Sequence, residues 1–322
     1  MKQENESIAV LLLNLGGPDS LGSIRPFLFN LFSDRDIIRL PAQPLLARLI
    51  ARSRAKKVRH RYEAIGGASP LLSLTNDQAK ALETYLNETQ NKELFKVYVG
   101  MRYWHPFIGD TVDEIIRNGH RRMIVLTLFP HYSRATTGSC FKETARSVPT
   151  GSPLSIAYID SWPDHPLYIE ALADSLRSAL AEFDEPKNEI DLLFTAHSLP
   201  KEFVEGGDPY VDHIHKTIEA LLPGLGKIKW QLGFQSRSGP VEWLEPSTEQ
   251  VLDSLAEAGA KAVLMCPISF ISDHIETLYE IDIMYRERAE AQGIRTFKRC
   301  SSLNSAHKFI EGLSQIVLAA AG

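Results

Sequence analysis

Seven short apolar runs recur along the chain, at residues 8–15, 96–101, 123–129, 154–159, 190–195, 228–234 and 262–268. Runs of this length bounded by turn residues read as buried strands, and Gly16-Gly17-Pro18 closes the first of them. Between them lie stretches whose apolar residues recur every three to four positions, at 76–86, 111–118, 166–183, 209–222 and 248–258, with a last one at 306–319. That period predicts amphipathic helices. Strands alternating with helices predict parallel sheets covered by helices on both faces. The stretch Asp160-Ser161-Trp162-Pro163-Asp164-His165-Pro166 reads as a crossing between two such halves. The expected fold class is therefore α/β, with two Rossmann-like domains, each a parallel β-sheet flanked by helices. The first spans 1–163 and is completed by the terminal helix at 305–322; the second spans 164–304.

A chain of 322 residues has room for two ordinary domains. Its 44% hydrophobic and 23% charged residues suit a soluble globular protein. A net charge of -5 gives no basic field, so nucleic acid is not an expected partner. Cys140, Cys266 and Cys300 are scattered, with neither a C-x-x-C pair nor a disulfide framework, which fits a reducing cytoplasm. The polar residues 1–7 run straight into the first strand, so no secretory signal is expected. No uncharged apolar stretch approaches the about 18 residues that span a bilayer. The expected location is cytoplasmic, with contact at a membrane surface left open. Nucleotide signatures are missing: Gly16-Gly17 is not part of a G-x-G-x-x-G, and Gly226-Lys227 is followed by Ile228. NAD and ATP are both disfavoured.

Chemistry concentrates in two segments, Thr195-Ala196-His197-Ser198-Leu199-Pro200 and Ser272-Asp273-His274-Ile275-Glu276-Thr277-Leu278-Tyr279-Glu280. Each directly follows an apolar run, and ligands of open α/β sheets bind beyond the carboxyl ends of the strands. His197 is a candidate proton acceptor, because a neutral imidazole titrates near about pH 6.5. A core histidine bonded to backbone is an equal alternative. Glu276 and Glu280 are four apart and share a face of a helix expected to start near Asp273, at a repulsive cost of a few tenths of a kcal/mol. Asp273 as helix cap, with Glu276 completing the cap, is a second reading. His274 either orients a carboxylate or is a surface residue. A histidine with clustered carboxylates suits handling of protons and a divalent cation.

These segments, with several others in the same order, resemble the motifs of the ferrochelatase family, whose members insert Fe²⁺ into a porphyrin to make haem. The others are Leu13-Asn14-Leu15-Gly16-Gly17-Pro18, residues 62–70, Met101-Arg102-Tyr103-Trp104-His105-Pro106, residues 129–139, Gly207-Asp208-Pro209-Tyr210, and Gly239-Pro240 followed by Trp243-Leu244. The resemblance implies a chelatase-like fold with its active-site cleft between the two domains. It implies that His197 and Glu276 are the catalytic pair and meet the metal, and that Asp273, His274 and Glu280 lie along the proton or metal path. Met284 stands where animal and plant members often carry a further acid, so that path is shorter here. Leu15 stands where other members often carry a methionine or tyrosine, and it cannot ligate iron.

For the porphyrin, the resemblance implies Leu15, Phe29, Leu31 and Trp243 as apolar surfaces and Arg54, Tyr62, Ser69 and Arg102 as partners of the propionates. Tyr103 and Tyr132 belong to the same matched segments and the same implied pocket. Stacking on apolar faces and bidentate pairing by arginine are what a flat, anionic macrocycle needs. The ordinary alternatives are core packing for the apolar residues and solvated faces for the arginines. Residues 24–50 combine apolar clusters with a following basic run, Arg52, Arg54, Lys56, Lys57, Arg59 and Arg61. This reads either as a lip resting on anionic lipid or as a buried helix with a solvated face.

The implied substrates are protoporphyrin IX and Fe²⁺, with no tightly bound cofactor. No [2Fe–2S] cluster is expected, since no cysteine follows Cys300 and the thiols are not clustered. Implied partners are an anionic membrane surface, the preceding enzyme of porphyrin synthesis, and a second copy of the chain if it is not a monomer. Coproporphyrin III or another tetrapyrrole as substrate is the alternative; a non-catalytic porphyrin carrier is a remoter one.

Overall fold

The apolar runs do form strands, and the strands fall into two separate sheets. The computed structural model describes residues 5–38, 40–90, 94–237, 239 and 241–322; Arg39 of the basic, apolar stretch and Pro240 of the Gly239-Pro240 motif lie outside them. The chain divides into two compact units, Met1–Trp162 with Ser305–Gly322, and Pro163–Asn304.

The first unit contains β1 (Asn5–Asn14), β2 (Phe95–Met101), β3 (His120–Thr127) and β4 (Ser155–Ile159). They form a wholly parallel sheet in the order β2-β1-β3-β4. Val10, Leu11, Leu12 and Leu13 are all fully buried, so both faces of β1 are covered and the run cannot alternate with polar residues. The covering helices are α1 (Ile24–Ser33), α2 (Gln43–Ala64), α3 (Leu71–Gln90), α4 (Ile108–Arg117) and α5 (Ser139–Ser147). The C-terminal helix, His307–Ala321, packs on α3, β3 and β4, and its Phe309 ring lies 5.9 Å from that of Trp162.

The second unit repeats the design with β5 (Ile190–His197), β6 (Lys229–Gln235), β7 (Ala262–Pro267) and β8 (Thr296–Arg299). Its sheet is again parallel, in the order β6-β5-β7-β8. The helices here are α6 (Pro166–Leu180), α7 (Lys201–Glu205), α8 (Tyr210–Leu225), α9 (Thr248–Glu257) and α10 (Arg286–Ala291). A π-helix, Glu276–Tyr285, follows β7, and a short one, Arg134–Gly138, follows β3.

Strand β8 and helix α5 are among the elements that fall outside the apolar runs and periodic stretches of the sequence. β8 is four residues long, and Phe297 is its one buried side chain. Helix α5 reads SCFKETARS and buries Ser139, Cys140 and Thr144, a face that carries two hydroxyls and so does not stand out as apolar. In each sheet the chain reverses direction of winding between the first and third strands of its unit, β1 and β3 or β5 and β7. Binding crevices form at such switch points, and the chemically rich loops follow these strands.

Candidate active site

His197 ends β5, and its backbone is held from two sides. Its N–H donates to Ser269 Oγ at 3.1 Å, and its carbonyl accepts from Tyr210 Oη at 3.1 Å. The imidazole is 40% exposed, so the ring is fixed at its root while its edge stays open. Nδ1 lies 2.8 Å from Glu276 Oε2. Burial alone would lower the imidazole's pKa, but the charge and hydrogen bond of Glu276, with Glu280 beyond, outweigh it and hold His197 above its ordinary value. Burial likewise opposes ionisation of Glu276. His197, His274 and the Ser236 hydroxyl overcome this and keep the Glu276 carboxyl well below the usual range.

Glu276 opens the π-helix that follows β7. Its wider turn carries i→i+5 hydrogen bonds, a geometry that is rare and found mostly at functional sites. Ile275, not Asp273, precedes the helix, and no side chain caps it. The capping arrangement drawn from the sequence is therefore corrected. Asp273 instead accepts from Ser302 Oγ at 2.8 Å and Asn304 Nδ2 at 2.9 Å, and pairs with Arg299 at 3.1 Å. It ties the loop after β7 to the loop after β8. Burial opposes its charge, yet the Asn304, Arg299, Ser302 and Thr277 contacts leave its pKa lowered.

His274 donates from Nδ1 to the Ser272 carbonyl at 3.1 Å, and its Nε2 stands 3.9 Å from Glu276 Oε1. Its ring meets Phe270 edge-on at 4.7 Å. Burial lowers its pKa more than Glu276 and the Ser272 carbonyl raise it. The two histidines beside Glu276 are thus driven in opposite directions.

Two residues that the sequence reading passed over complete the cluster. Ser236 Oγ lies 2.8 Å from Glu276 Oε2 and 2.6 Å from Glu280 Oε2, so both carboxylates converge on one hydroxyl. Ser236 adopts φ of +65°, a left-handed conformation that costs a non-glycine residue about 1 kcal/mol or more. Gln235, paired in register with His197, reaches the same helix. Both stand at or just beyond the carboxyl end of β6, the position that singled out His197 and Asp273 on their own strands.

Trp243 also belongs to this unit, where it pairs with Pro200 across an isolated bridge. Its indole nitrogen is buried with no hydrogen-bond partner. Among the described residues, no three His, Cys, Asp or Glu side chains converge as a ready-made metal site.

The remaining expected residues lie in the first unit. Leu15 packs on the sheet's core, and its carbonyl accepts from the Tyr103 N–H at 2.9 Å. Arg102 is already engaged. It donates to Asp34 Oδ2 and Ser139 Oγ at 2.9 and 2.8 Å, and stands 3.5 Å from Glu143. Tyr103 Oη donates to Asp34 Oδ2 at 2.7 Å, and Ser139 Oγ lies 2.5 Å from the same oxygen. This network borders a cavity of about 300 Å³ lined also by Asn30, Phe107 and Asp110. Ser69 donates its N–H to the Pro18 carbonyl at 2.8 Å and sits against Gly17, where a Cβ would come within 2.6 Å of its Oγ. Phe29 carries the Arg48 guanidinium over its ring at 5.9 Å. Leu31 and Arg54 are half-buried on α1 and α2, Tyr132 is half-buried after β3, and Tyr62 is buried.

The sequence model described as Ferrochelatase matches residues 7–321. A ferrochelatase of Geotalea daltonii is 50% identical over 322 residues, covering 99% of both chains. One of Geotalea uraniireducens is 50% identical over 316 residues, covering 97% of both. Among solved structures, "SirB from Bacillus subtilis with Fe3+" aligns with 98% of this chain and 96% of its own at a TM-score of 0.57. Its 11% identity makes that a likeness of fold alone.

Proposed function

Since this chain belongs to the ferrochelatase family, and so is an enzyme that inserts iron into a porphyrin, we propose that its porphyrin is protoporphyrin IX and that His197 and Glu276 carry the chemistry. The observation that supports this most is the 2.8 Å contact between His197 Nδ1 and Glu276 Oε2 at the switch point of β5 and β7. Insertion releases two pyrrole protons, and Fe²⁺ must shed water as the ring nitrogens replace it. With Glu276 ionised, His197 holds its proton on Nδ1 and presents the Nε2 lone pair to a pyrrole N–H. The carboxylate then stabilises the imidazolium that forms, as an orienting acid does beside any histidine base.

Iron approaches along the acidic side of this pair. Glu276 and Glu280, gathered on Ser236, offer oxygen ligands, and His197 can offer Nε2 only while that atom is not engaged with a pyrrole proton. Asp273 is bound up with Arg299, Ser302 and Asn304, so its part in the path is to hold the loop that carries His274 and Glu276. The protein itself carries no tightly bound group in this reading, and no [2Fe–2S] cluster. Cys140, Cys266 and Cys300 are each buried, which suits packing better than cluster ligation.

Protoporphyrin, with two propionates, suits a chain whose candidate porphyrin residues include the apolar Leu15, Phe29, Leu31 and Trp243. Arg54, Tyr62, Ser69 and Arg102 are the polar partners for the propionates, with Tyr103 and Tyr132 beside them. On α2, Leu45 and Leu49 are 60% and 56% exposed one turn apart, flanked by the exposed Arg48, Arg52, Lys56 and Lys57. That pattern supports a peripheral contact with anionic lipid, from which a sparingly soluble porphyrin would be drawn. No described helix is long and apolar enough to cross a membrane. Parallel assays with protoporphyrin IX and coproporphyrin III test the substrate; faster metallation of coproporphyrin would overturn it.

A further inference from the structure

Gln235 is the last residue of β6 and is fully buried. Its Nε2 faces the Glu276 carbonyl, which can only accept a hydrogen bond, at 3.3 Å, and Glu280 Oε2 at 3.2 Å. The amide orientation is therefore forced, and Oε1 must face the Thr195 hydroxyl, which donates to it at 2.8 Å. Thr195 has then spent its proton. The Thr248 hydroxyl, 2.8 Å from Thr195 Oγ1, must in turn be the donor to it. Thr248, Thr195 and Gln235 are all fully buried, so water cannot reverse any member of the chain.

The sequence builds this path deliberately. Thr195 pairs in register with Gly233, and a Cβ on Gly233 would come within 2.8 Å of the Thr248 backbone. Glycine there lets the start of α9 close onto the sheet and brings Thr248 to Thr195. The result is a one-way run of donors from the positive end of α9, across β5, to the first turn of the π-helix.

We infer that Gln235 is a positioning residue for iron capture, with Thr195 and Thr248 fixing its amide so that it sets the spacing of Glu276 and Glu280 from outside their helix. This inference rests on the proposed role of the two glutamates as the route of Fe²⁺. Gln235 touches neither substrate in this account; it acts by holding the carboxylates where the metal meets them. Partners of this kind typically alter metal affinity by about 10-fold or more when removed.

The test is steady-state anaerobic iron insertion by full-length Q235L, T195V and T195S, varying Fe²⁺ and porphyrin separately, with thermal unfolding alongside. Q235L is expected to raise KM for Fe²⁺ by about 10-fold while KM for porphyrin stays in place. T195V keeps the shape but removes the donor to Oε1, and is expected to shift the same parameter in the same direction by less. T195S restores the hydroxyl and is expected to return KM for Fe²⁺ toward the wild type. A general loss of packing would lower thermal stability in Q235L, T195V and T195S alike without singling out KM for iron. Unchanged iron KM in Q235L and T195V, or equal behaviour of T195V and T195S, overturns the inference while leaving an active wild type intact. A wild type that inserts no iron overturns the functional reading and this inference with it.

Discussion

His197 Nδ1 and Glu276 Oε2 are 2.8 Å apart although 79 positions separate the residues in sequence. The first ends a strand and the second opens a π-helix, so the pair exists because β5 and β7 are neighbours in the sheet. The contact makes each group the main charged neighbour of the other.

The pair sets a pH dependence. His197 is held above its ordinary value of about 6.5, so it can accept a proton only once the pH exceeds that raised value. The acid limb of the kcat profile should therefore lie above about pH 6.5. Glu276→Gln removes the charge responsible, and the limb should move to lower pH even as the rate falls. NMR titration of the His197 ring in the two proteins checks the same shift without turnover. An unmoved titration would show that Glu276 does not govern the histidine.

Asp34 is expected to be a stability residue of the first unit. Burial opposes its charge, but Ser139, Tyr103, the Asp36 N–H and Arg102 together lower its pKa below 3.8. A carboxyl with a lowered folded pKa stabilises above its unfolded value, and the benefit disappears as pH falls through the folded one. Asp34→Ala leaves Arg102 with the longer 3.5 Å contact to Glu143, takes the shared acceptor from Tyr103 and Ser139, and should cost roughly 3 kcal/mol at pH 7 by urea denaturation. The deficit should narrow in acid. A loss below about 1 kcal/mol, the range of an exposed pair, would contradict this.

Gly17 and Ser69 form a contact that only glycine permits, since a Cβ would lie 2.6 Å from Ser69 Oγ. Gly17→Ala should displace Ser69 and raise KM for porphyrin several-fold, with KM for Fe²⁺ unchanged. A shift in the iron KM alone would remove Ser69 from the porphyrin side.

The α2 surface offers a test independent of turnover. Replacing both Leu45 and Leu49 by Ser should sharply reduce co-sedimentation with phosphatidylglycerol-containing vesicles. Insertion of iron into detergent-dispersed porphyrin should be retained. Equal sedimentation of the wild-type and double-variant proteins would assign the exposed leucines another purpose.

Much of the fold was legible because β1, β5 and β7 are buried on both faces, which makes their apolar runs continuous and easy to see. His197 and Glu276 were legible for the same reason, each following such a run. Gln235 and Ser236 end and directly follow a weaker strand whose first residues, Lys229, Trp230 and Gln231, are exposed, and both are uncharged, so neither stands out as a titrating group would. The π-helix could not be read from sequence, since residues four apart share a face in an α-helix as well. The engagement of Arg102 with Asp34 was hidden because the partners are 68 positions apart and on separate elements. A charge pattern does not say which charges meet.

The central claim is that His197 takes the pyrrole proton as iron enters. Its most direct test is anaerobic Fe²⁺ insertion into protoporphyrin IX, followed by absorbance, in wild-type protein and His197→Ala. The expected result is turnover by the wild type and a loss of at least about 100-fold in kcat for the variant, with porphyrin still bound. Comparable rates in the two proteins would contradict it.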